Sequence, residues 1–134
     1  MSYATVRDGL KIRLATISAL TVYDTIPGDI VTPAAVVAPG APAVTYDVTQ
    51  SEQVLYTFAI LVFASKADER TGQDRVDSYI EPTGALSIKA AIEGDDTLGG
   101  VADSTRVVSV DNYGESEVAG VKYWGARFAV EVFA

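Results

Sequence analysis

The stretch that decides the fold is VLYTFAILVFAS, residues Val54–Ser65. Its side chains alternate with the period of two that is typical of a β-strand. One face carries Val54, Tyr56, Phe58, Ile60 and Val62, and the other carries Leu55, Thr57, Ala59, Leu61 and Phe63. Both faces are apolar beyond Phe58. We therefore expect a strand in the middle of a sheet, covered on two sides near its end.

A helix is predicted before this strand, at the N-terminus. Four apolar residues recur at the spacing of one buried helical stripe: Val6, Leu10, Leu14 and Ile17. Two neighbours fit less well, because Arg13 falls within the stripe and Ile12 falls outside it. We expect Arg13 to lay its stem along the core and keep its charge in water. The residues LTVYD that follow predict a short strand.

A proline-rich segment, Ile26–Pro42, separates these two parts of the chain. Within it AAVVA, Ala34–Ala38, predicts a strand between proline-bounded turns. We expect the remainder to be an irregular surface loop. A loop of this length is more often functional, or ordered by a partner, than idle.

The second half of the chain predicts two short helices and then a β-hairpin. The first helix lies in KADERTGQDRVDSYIEP and ends at Pro82, and the second lies in ALSIKAAIEGDD with Ser87 as its N-cap. Alternation over the last thirty or so residues predicts the hairpin. Helices and strands in blocks indicate an α+β fold. We expect one domain, 1–134, in which an N-terminal helix and two short helices pack on a mostly antiparallel sheet.

The loop IEGDDTLGGVADS, Ile92–Ser104, carries the strongest motif-like spacing. Its glycines at 94 and 99 have the spacing of a phosphate loop, but Gly100 and Val101 stand where Lys and Ser or Thr are required. Alternating oxygen donors begin a calcium loop, but no glutamate follows at its twelfth position. The interpretation favoured here is a turn that reverses the chain.

Composition restricts the function further. Ten basic and eighteen acidic residues give a formal charge of −8, and both Cys and His are absent. This excludes disulfides, His-based triads and the usual zinc sites, and an acidic surface disfavours tight nucleic-acid binding. No signal peptide is recognisable, and the longest apolar run is too short to span a bilayer. We expect a soluble cytoplasmic protein without cofactor, metal site or membrane contact.

No catalytic constellation stands out among the carboxylates. Glu115 and Glu117 flank the predicted hairpin turn, and Glu131 is expected to face outward on the last strand. Such charges are typical of a solvated sheet edge that discourages strand addition. The seven tyrosines are more suggestive, because they offer contact area together with a hydroxyl. We therefore expect a protein that binds other proteins, not an enzyme.

Several phrases of the sequence resemble one family. SIKAAIEGDDTLGG, RVVSVDNYGE and GVKYWGARFAVEVF, in this order, are similar to segments of the tail terminator (tail completion) proteins of long-tailed bacteriophages, especially those of actinobacterial hosts. LATISALTVYDTIPGDIVTPAAVVAPG resembles the family's N-terminal helix, short strand and proline-rich loop. The resemblance covers the chain from about Ala4 to Phe133.

The resemblance implies a structural role in the virion. Such proteins form a ring, usually hexameric, on the finished tail tube, where they stop tube growth and contact the head-completion (neck) proteins. The implied location is the head-proximal end of the tail, and the host cytoplasm during assembly. DNA would pass through an acidic lumen without specific binding.

A closed ring requires two different patches on each subunit. One candidate is the proline-rich loop with the AVTYDV arm, represented by Ile30, Val31, Tyr46 and Asp47. The other is the charged helix face from Asp68 to Asp77, represented by Arg70, Asp74 and Arg75. Tyr113 is a further interface candidate.

Three alternatives remain open at the level of sequence. The nearest is a head-closure or head–tail connector protein of the phage neck. From other classes come an acidic metal-dependent hydrolase, which a divalent ion at Asp95 and Asp96 would favour, and a β-rich surface-binding module.

Overall fold

The computed structural model describes residues 3–17, 20–23, 30–46, 53–66, 72–118 and 120–134. Three helices and five strands, together with one 3₁₀ turn at Leu98–Gly100, are present in these ranges. In chain order they are α1 (Tyr3–Leu14), β1 (Thr21–Tyr23), β2 (Ala34–Thr45), β3 (Leu55–Lys66), α2 (Gly72–Ile80), α3 (Ile88–Glu93), β4 (Ser104–Val118) and β5 (Val121–Phe133).

The strands form one sheet in the order β1-β2-β3-β5-β4. β1 pairs with β2 in parallel, and the other three pairs are antiparallel. The α+β prediction is therefore confirmed. β3 occupies the middle of the sheet, as its two apolar faces predicted.

All three helices contribute to one large core on one face of the sheet. The α1 stripe is confirmed, because Val6, Leu10, Leu14 and Ile17 are all buried there. Beneath them lie alternate residues of the central strands, among them Phe58, Ile60, Val62, Phe128, Val130 and Val132. Arg13 lies beside α3, where its Nε donates to the Ala91 carbonyl at 2.9 Å.

A smaller apolar cluster lies on the opposite face of the sheet. It contains Ile30, Ala34, Val36, Phe63 and Tyr123. The rings of Phe63 and Tyr123 meet edge to face, with centroids 5.6 Å apart. Both faces of β3 are thus covered near its end, in agreement with the alternation of its sequence.

The prediction for the proline-rich segment was wrong from Pro39 onward. β2 does not stop at Ala38 but continues to Thr45, and it bulges between Pro39 and Val44. Six residues of β2 there stand opposite three of β3. Gly40 allows this close fit, because a Cβ on it would lie 2.6 Å from Thr57 Cγ2. The strand tolerates its prolines because β2 beyond Val36 pairs with β3 alone in the described part of the chain.

Candidate functional site

The sheet has two edges, which differ in the elements that border them. On one side lie β1, the part of β2 beyond Val36, and the outer side of α1; we call this the α1–β2 edge. On the other side lies the full length of β4, bordered by the exposed side of α2; we call this the β4 edge. The strand order places the two edges at opposite ends of the sheet.

The α1–β2 edge exposes large apolar side chains. Ile12, which lies off the buried stripe, is 68% exposed, Val31 is 61% exposed and Tyr46 is 74% exposed. A groove of about 420 Å³ runs between α1 and β1, lined by Asp8, Lys11, Ile12, Ala15, Leu20 and Val22. Exposed apolar side chains beside a groove are typical of a contact surface.

Two of the predicted interface residues lie at opposite ends of this edge. Val31 precedes β2, where its N–H donates to the Tyr23 hydroxyl, and Tyr46 follows the end of β2. The strand between them spans eight residue steps of β3, roughly 26 Å. They therefore share an edge without forming one compact patch. Asp47 lies outside the described residues.

Ile30 requires a correction. The sequence predicts it as a contact residue of an open loop, but its side chain is only 5% exposed and packs in the smaller cluster. The apolar face of the sheet formed by Val36 and Phe63 covers it. Ile30 therefore stabilises the fold and is not available to a partner in this conformation.

The β4 edge carries a second set of exposed apolar residues. Val108, 48% exposed, has no partner on β5, because it sits in a bulge between Val107 and Ser109. Val110 is also exposed. Beside them lies a notch of about 190 Å³, lined by Ile80, Lys89, Val107–Val110 and Phe128. Val108 and Val110 therefore form a small exposed apolar patch beside this notch.

A second bulge brings Tyr113 onto the same surface as α2. Asn112 and Gly114 have φ values of 52° and 145°, and the turn they make allows the Tyr113 hydroxyl to donate to Asp77 Oδ1 at 2.6 Å. This hydrogen bond, together with partial burial, raises the pKa of Tyr113 above its ordinary value. The predicted contact residues Asp74 and Arg75 are exposed on the same helix. Arg70 lies outside the described residues.

Charged side chains lie at both edges. Arg7 and Lys11 each lie two residues from Gly9, roughly 160° around the helix from it. Because Gly9 packs against Leu98, the two basic residues lie on the opposite side of α1. Lys11 lines the groove there together with the acidic Asp8, and the Nε of Arg7 is buried. The β4 edge is mainly acidic. Its acidic residues are Asp74, Asp77, Asp111, Glu115 and Glu117, and its basic residues include Arg75, Lys89 and Arg106.

Some of these contact candidates were missed by sequence reasoning. Ile12 was noted only as a misfit in the α1 stripe, and Val108 and Val110 were not singled out. Each of the two regions has a signal in the sequence. Ile12 is an apolar residue off a buried stripe, and the Val107–Val108 pair breaks the alternation of a strand. Either signal can be interpreted as a contact residue only once the structure shows that the element lies at an edge of the sheet.

The acidic loop turns the chain, as predicted. Leu98, Gly99 and Gly100 all have positive φ, which reverses the direction of the backbone. Asp95 Oδ1 accepts from the Thr97 hydroxyl at 2.8 Å and Oδ2 accepts from Gly99 N–H at 3.0 Å. The bond from Thr97, then that from Gly99, holds the pKa of Asp95 below its ordinary value. Both of its oxygens are thus engaged within the loop.

The acidic side chains within the described ranges form no group of three or more that could hold a metal ion. No helix of these ranges is long and apolar enough to cross a membrane. In comparisons with known proteins, no family profile and no curated protein matches the chain.

Proposed function

We propose that this protein is a structural, non-enzymatic subunit that closes into a ring on the tail tube of a long-tailed phage. There it ends tube growth and joins the tail to the neck proteins. The proposal begins from the sequence resemblance. The structural observation that supports it best is that one sheet ends in two unlike edges, each with exposed apolar residues.

Unlike edges suit a ring for a geometric reason. A two-fold dimer uses the same patch on both subunits, whereas a ring needs a different patch on each side of every subunit. The α1–β2 edge offers a groove lined in part by Ile12, and it exposes Val31 and Tyr46 near opposite ends of β2. The β4 edge offers Tyr113 and the exposed side of α2, including Asp74 and Arg75. A formal charge of −8 would keep DNA from adhering to such a ring.

The test is arrest of tube growth. The tail tube protein encoded in the same genome would be allowed to polymerise with and without the chain, and tube lengths would be measured by electron microscopy. We expect shorter tubes with a ring at one end. Tubes of unchanged length without a bound ring would exclude the proposal, and an unrelated acidic protein of similar size is the control for charge.

The same experiment distinguishes a tail terminator from the nearest alternative, a neck protein. A head-closure or connector protein would leave tube length unchanged and would bind the head side of the joint. A charge reversal at Arg75 tests the α2 part of the interface separately. Ring assembly that is unchanged by Arg75→Glu would remove α2 from the contact.

A further inference from the structure

We infer that Glu93 keeps the outer side of β4 closed to strand addition by the β4 strand of a second copy. An edge strand carries a row of unpaired N–H and C=O groups, to which an edge strand of another molecule can bind. In the described part of the chain, β4 is fifteen residues long and pairs with β5 alone. Glu93 acts within the isolated chain, so this role is separate from the closure of a ring.

The backbone N–H of Val107 points to this outer side. Val54 and Ala134 exchange both of their backbone hydrogen bonds, and the register of β3 with β5 continues without a shift from there to Val130. Hydrogen-bonded positions of an antiparallel pair recur at every second residue, so the backbone groups of Val130 point to β3. Val107 stands opposite Val130 on β4. Its own backbone groups therefore point away from β5.

The carboxylate of Glu93 occupies the position that a carbonyl group of an added strand would take. Its Oε2 accepts from Val107 N at 3.0 Å and also accepts from Lys89 Nζ. An ionised acceptor makes stronger hydrogen bonds than a neutral carbonyl. A second copy would have to displace this carboxylate before its strand could pair with β4 at Val107.

The fold holds Glu93 in this position. It is the last residue of α3 and follows Ile92, which is fully buried in the large core. Arg13 Nε donates to the Ala91 carbonyl and ties the same helix to α1. The carboxylate therefore reaches β4 from an element that is packed and hydrogen-bonded on its other side.

The first bulge of β4 adds to this protection without replacing it. It lies between Val107 and Ser109, directly after the residue that Glu93 contacts. A bulge interrupts the regular spacing of backbone groups that an added strand needs. It leaves the outward N–H of Val107 able to bind, and Glu93 covers this group.

The strand that would bind is the β4 of a second copy. The opposite side of the sheet offers fewer groups, because β1 has three residues and the open part of β2 contains Pro39 and Pro42, which lack N–H groups. Two β4 strands can pair about a two-fold axis, with the same groups used on each copy.

The first measurement is amide hydrogen exchange of the full chain by NMR at low concentration. We expect the Val107 amide of the wild-type chain to be protected, although no strand of the described residues lies beside it. Glu93→Ala should speed its exchange by about tenfold or more, because the charged acceptor is lost. Glu93→Gln keeps an acceptor and should fall between the two. The Val130 amide should stay protected in all three proteins, because it is bonded to β3.

The second measurement repeats exchange and sedimentation up to about 1 mM, a range in which even weak contacts are populated. Glu93→Ala should reach a larger apparent mass than the wild-type chain, and its Val107 amide should become protected again as the concentration rises. A purely structural role of Glu93 would not produce protection that depends on concentration. Asp96→Ala removes one acidic charge at an exposed position after α3 and should behave like the wild-type chain.

Lys89→Ala keeps the test decisive if Glu93→Ala does not fold, which circular dichroism shows. It removes the ammonium group that holds the carboxylate, so exchange of the Val107 amide should rise by a smaller factor. Unchanged exchange in this variant, or an unprotected Val107 amide in the wild-type chain, would overturn the inference. A folded Glu93→Ala chain that associates no more than the wild type at 1 mM would overturn it as well.

Discussion

At the scale of single residues, the core contains one polar group that the fold does not satisfy. Thr105 on β4 is 4% exposed, and its Oγ1 has no hydrogen-bond partner in the described part of the chain. It faces the helices together with Val107 and Val132. A buried hydroxyl without a partner costs free energy because it has lost its hydrogen bonds to water.

Thr105→Val is therefore expected to stabilise the protein. Valine has nearly the same shape and lacks the hydroxyl, so the free energy of unfolding should rise by about 1 kcal/mol. Urea denaturation measures the change. Thr105→Ala is the matched control and should lower stability, since it also removes a packed methyl group. A less stable valine variant would show that the hydroxyl has a partner after all.

The ionisation of Glu93 makes the stability of the fold depend on pH. Burial raises the pKa of Glu93, but hydrogen bonds from Lys89 Nζ and Val107 N, with the charges of Lys89 and Arg106, outweigh burial and hold the pKa below 4.5. The Val107 bond is 3.0 Å long. A pKa lowered by folding stabilises the protein above the pKa of the unfolded chain, and this contribution is lost as the pH falls below 4.5.

The expected result is a shallower acid transition in Glu93→Gln. Glutamine still accepts a hydrogen bond from Val107 N but carries no charge. Unfolding free energies of both proteins would be measured from pH 7 down to about pH 3. The difference between them should shrink as the pH falls through and below 4.5. A constant difference would show that the ionisation of Glu93 does not stabilise the fold.

At the scale of elements, β5 meets β3 at a point where only glycine fits. A Cβ on Gly125 would lie 2.1 Å from the Val62 carbonyl oxygen, which belongs to the backbone of the central strand. The pairing of β3 with β5 shifts register just beyond this point, between Phe63 and Ser65. A close approach between two central strands thus depends on one missing side chain.

Gly125→Ala is expected to lower the free energy of unfolding by about 2–3 kcal/mol, because the strands must separate to admit the methyl group. Gly99→Ala provides a comparison. It has open space around it but a φ of 75°, so its cost should be limited to about 1 kcal/mol of backbone strain. Thermal or chemical denaturation gives both values, and equal costs would contradict the packing argument.

At the scale of the whole molecule, exposed apolar side chains lie at two opposite edges of one sheet. In the proposed ring each contact joins these two unlike edges, and every subunit carries a formal charge of −8. Its strength should therefore depend on ionic strength, since exposed charges are screened within about 10 Å at 0.1 M salt.

Association of the wild-type chain in the proposed ring is expected to strengthen between about 0.05 and 0.5 M NaCl, because salt screens the repulsion between subunits of formal charge −8 and leaves apolar contacts in place. Sedimentation equilibrium measures the change in apparent mass. Glu115→Lys should reduce the salt dependence, because it lowers the net negative charge of each subunit by two. Association that weakens with salt would show that ion pairs across the contact outweigh this repulsion.

Much of the fold could be predicted because its signals are local. Four apolar residues at helical spacing defined the buried side of α1, and Ser87 caps α3 by accepting from Ala90 N–H at 3.0 Å. Alternation was enough to predict β3 and the hairpin of β4 and β5. The long bulge in β2 was missed, because proline usually ends a strand and its tolerance here depends on what lies beside it.

The sequence by itself determined the α+β class, the central position of β3 and the turn at the acidic loop, since periodicity and glycine placement act over a few residues. Only the tertiary structure decided which strands are edges, that Ile30 is buried and that Tyr113 reaches Asp77, thirty-six residues away. The physical reason is that a strand's period of two shows which side chains share a face but not which strand lies beside it. Partner choice and register arise from contacts between distant segments, and the candidate interaction edges depend on both.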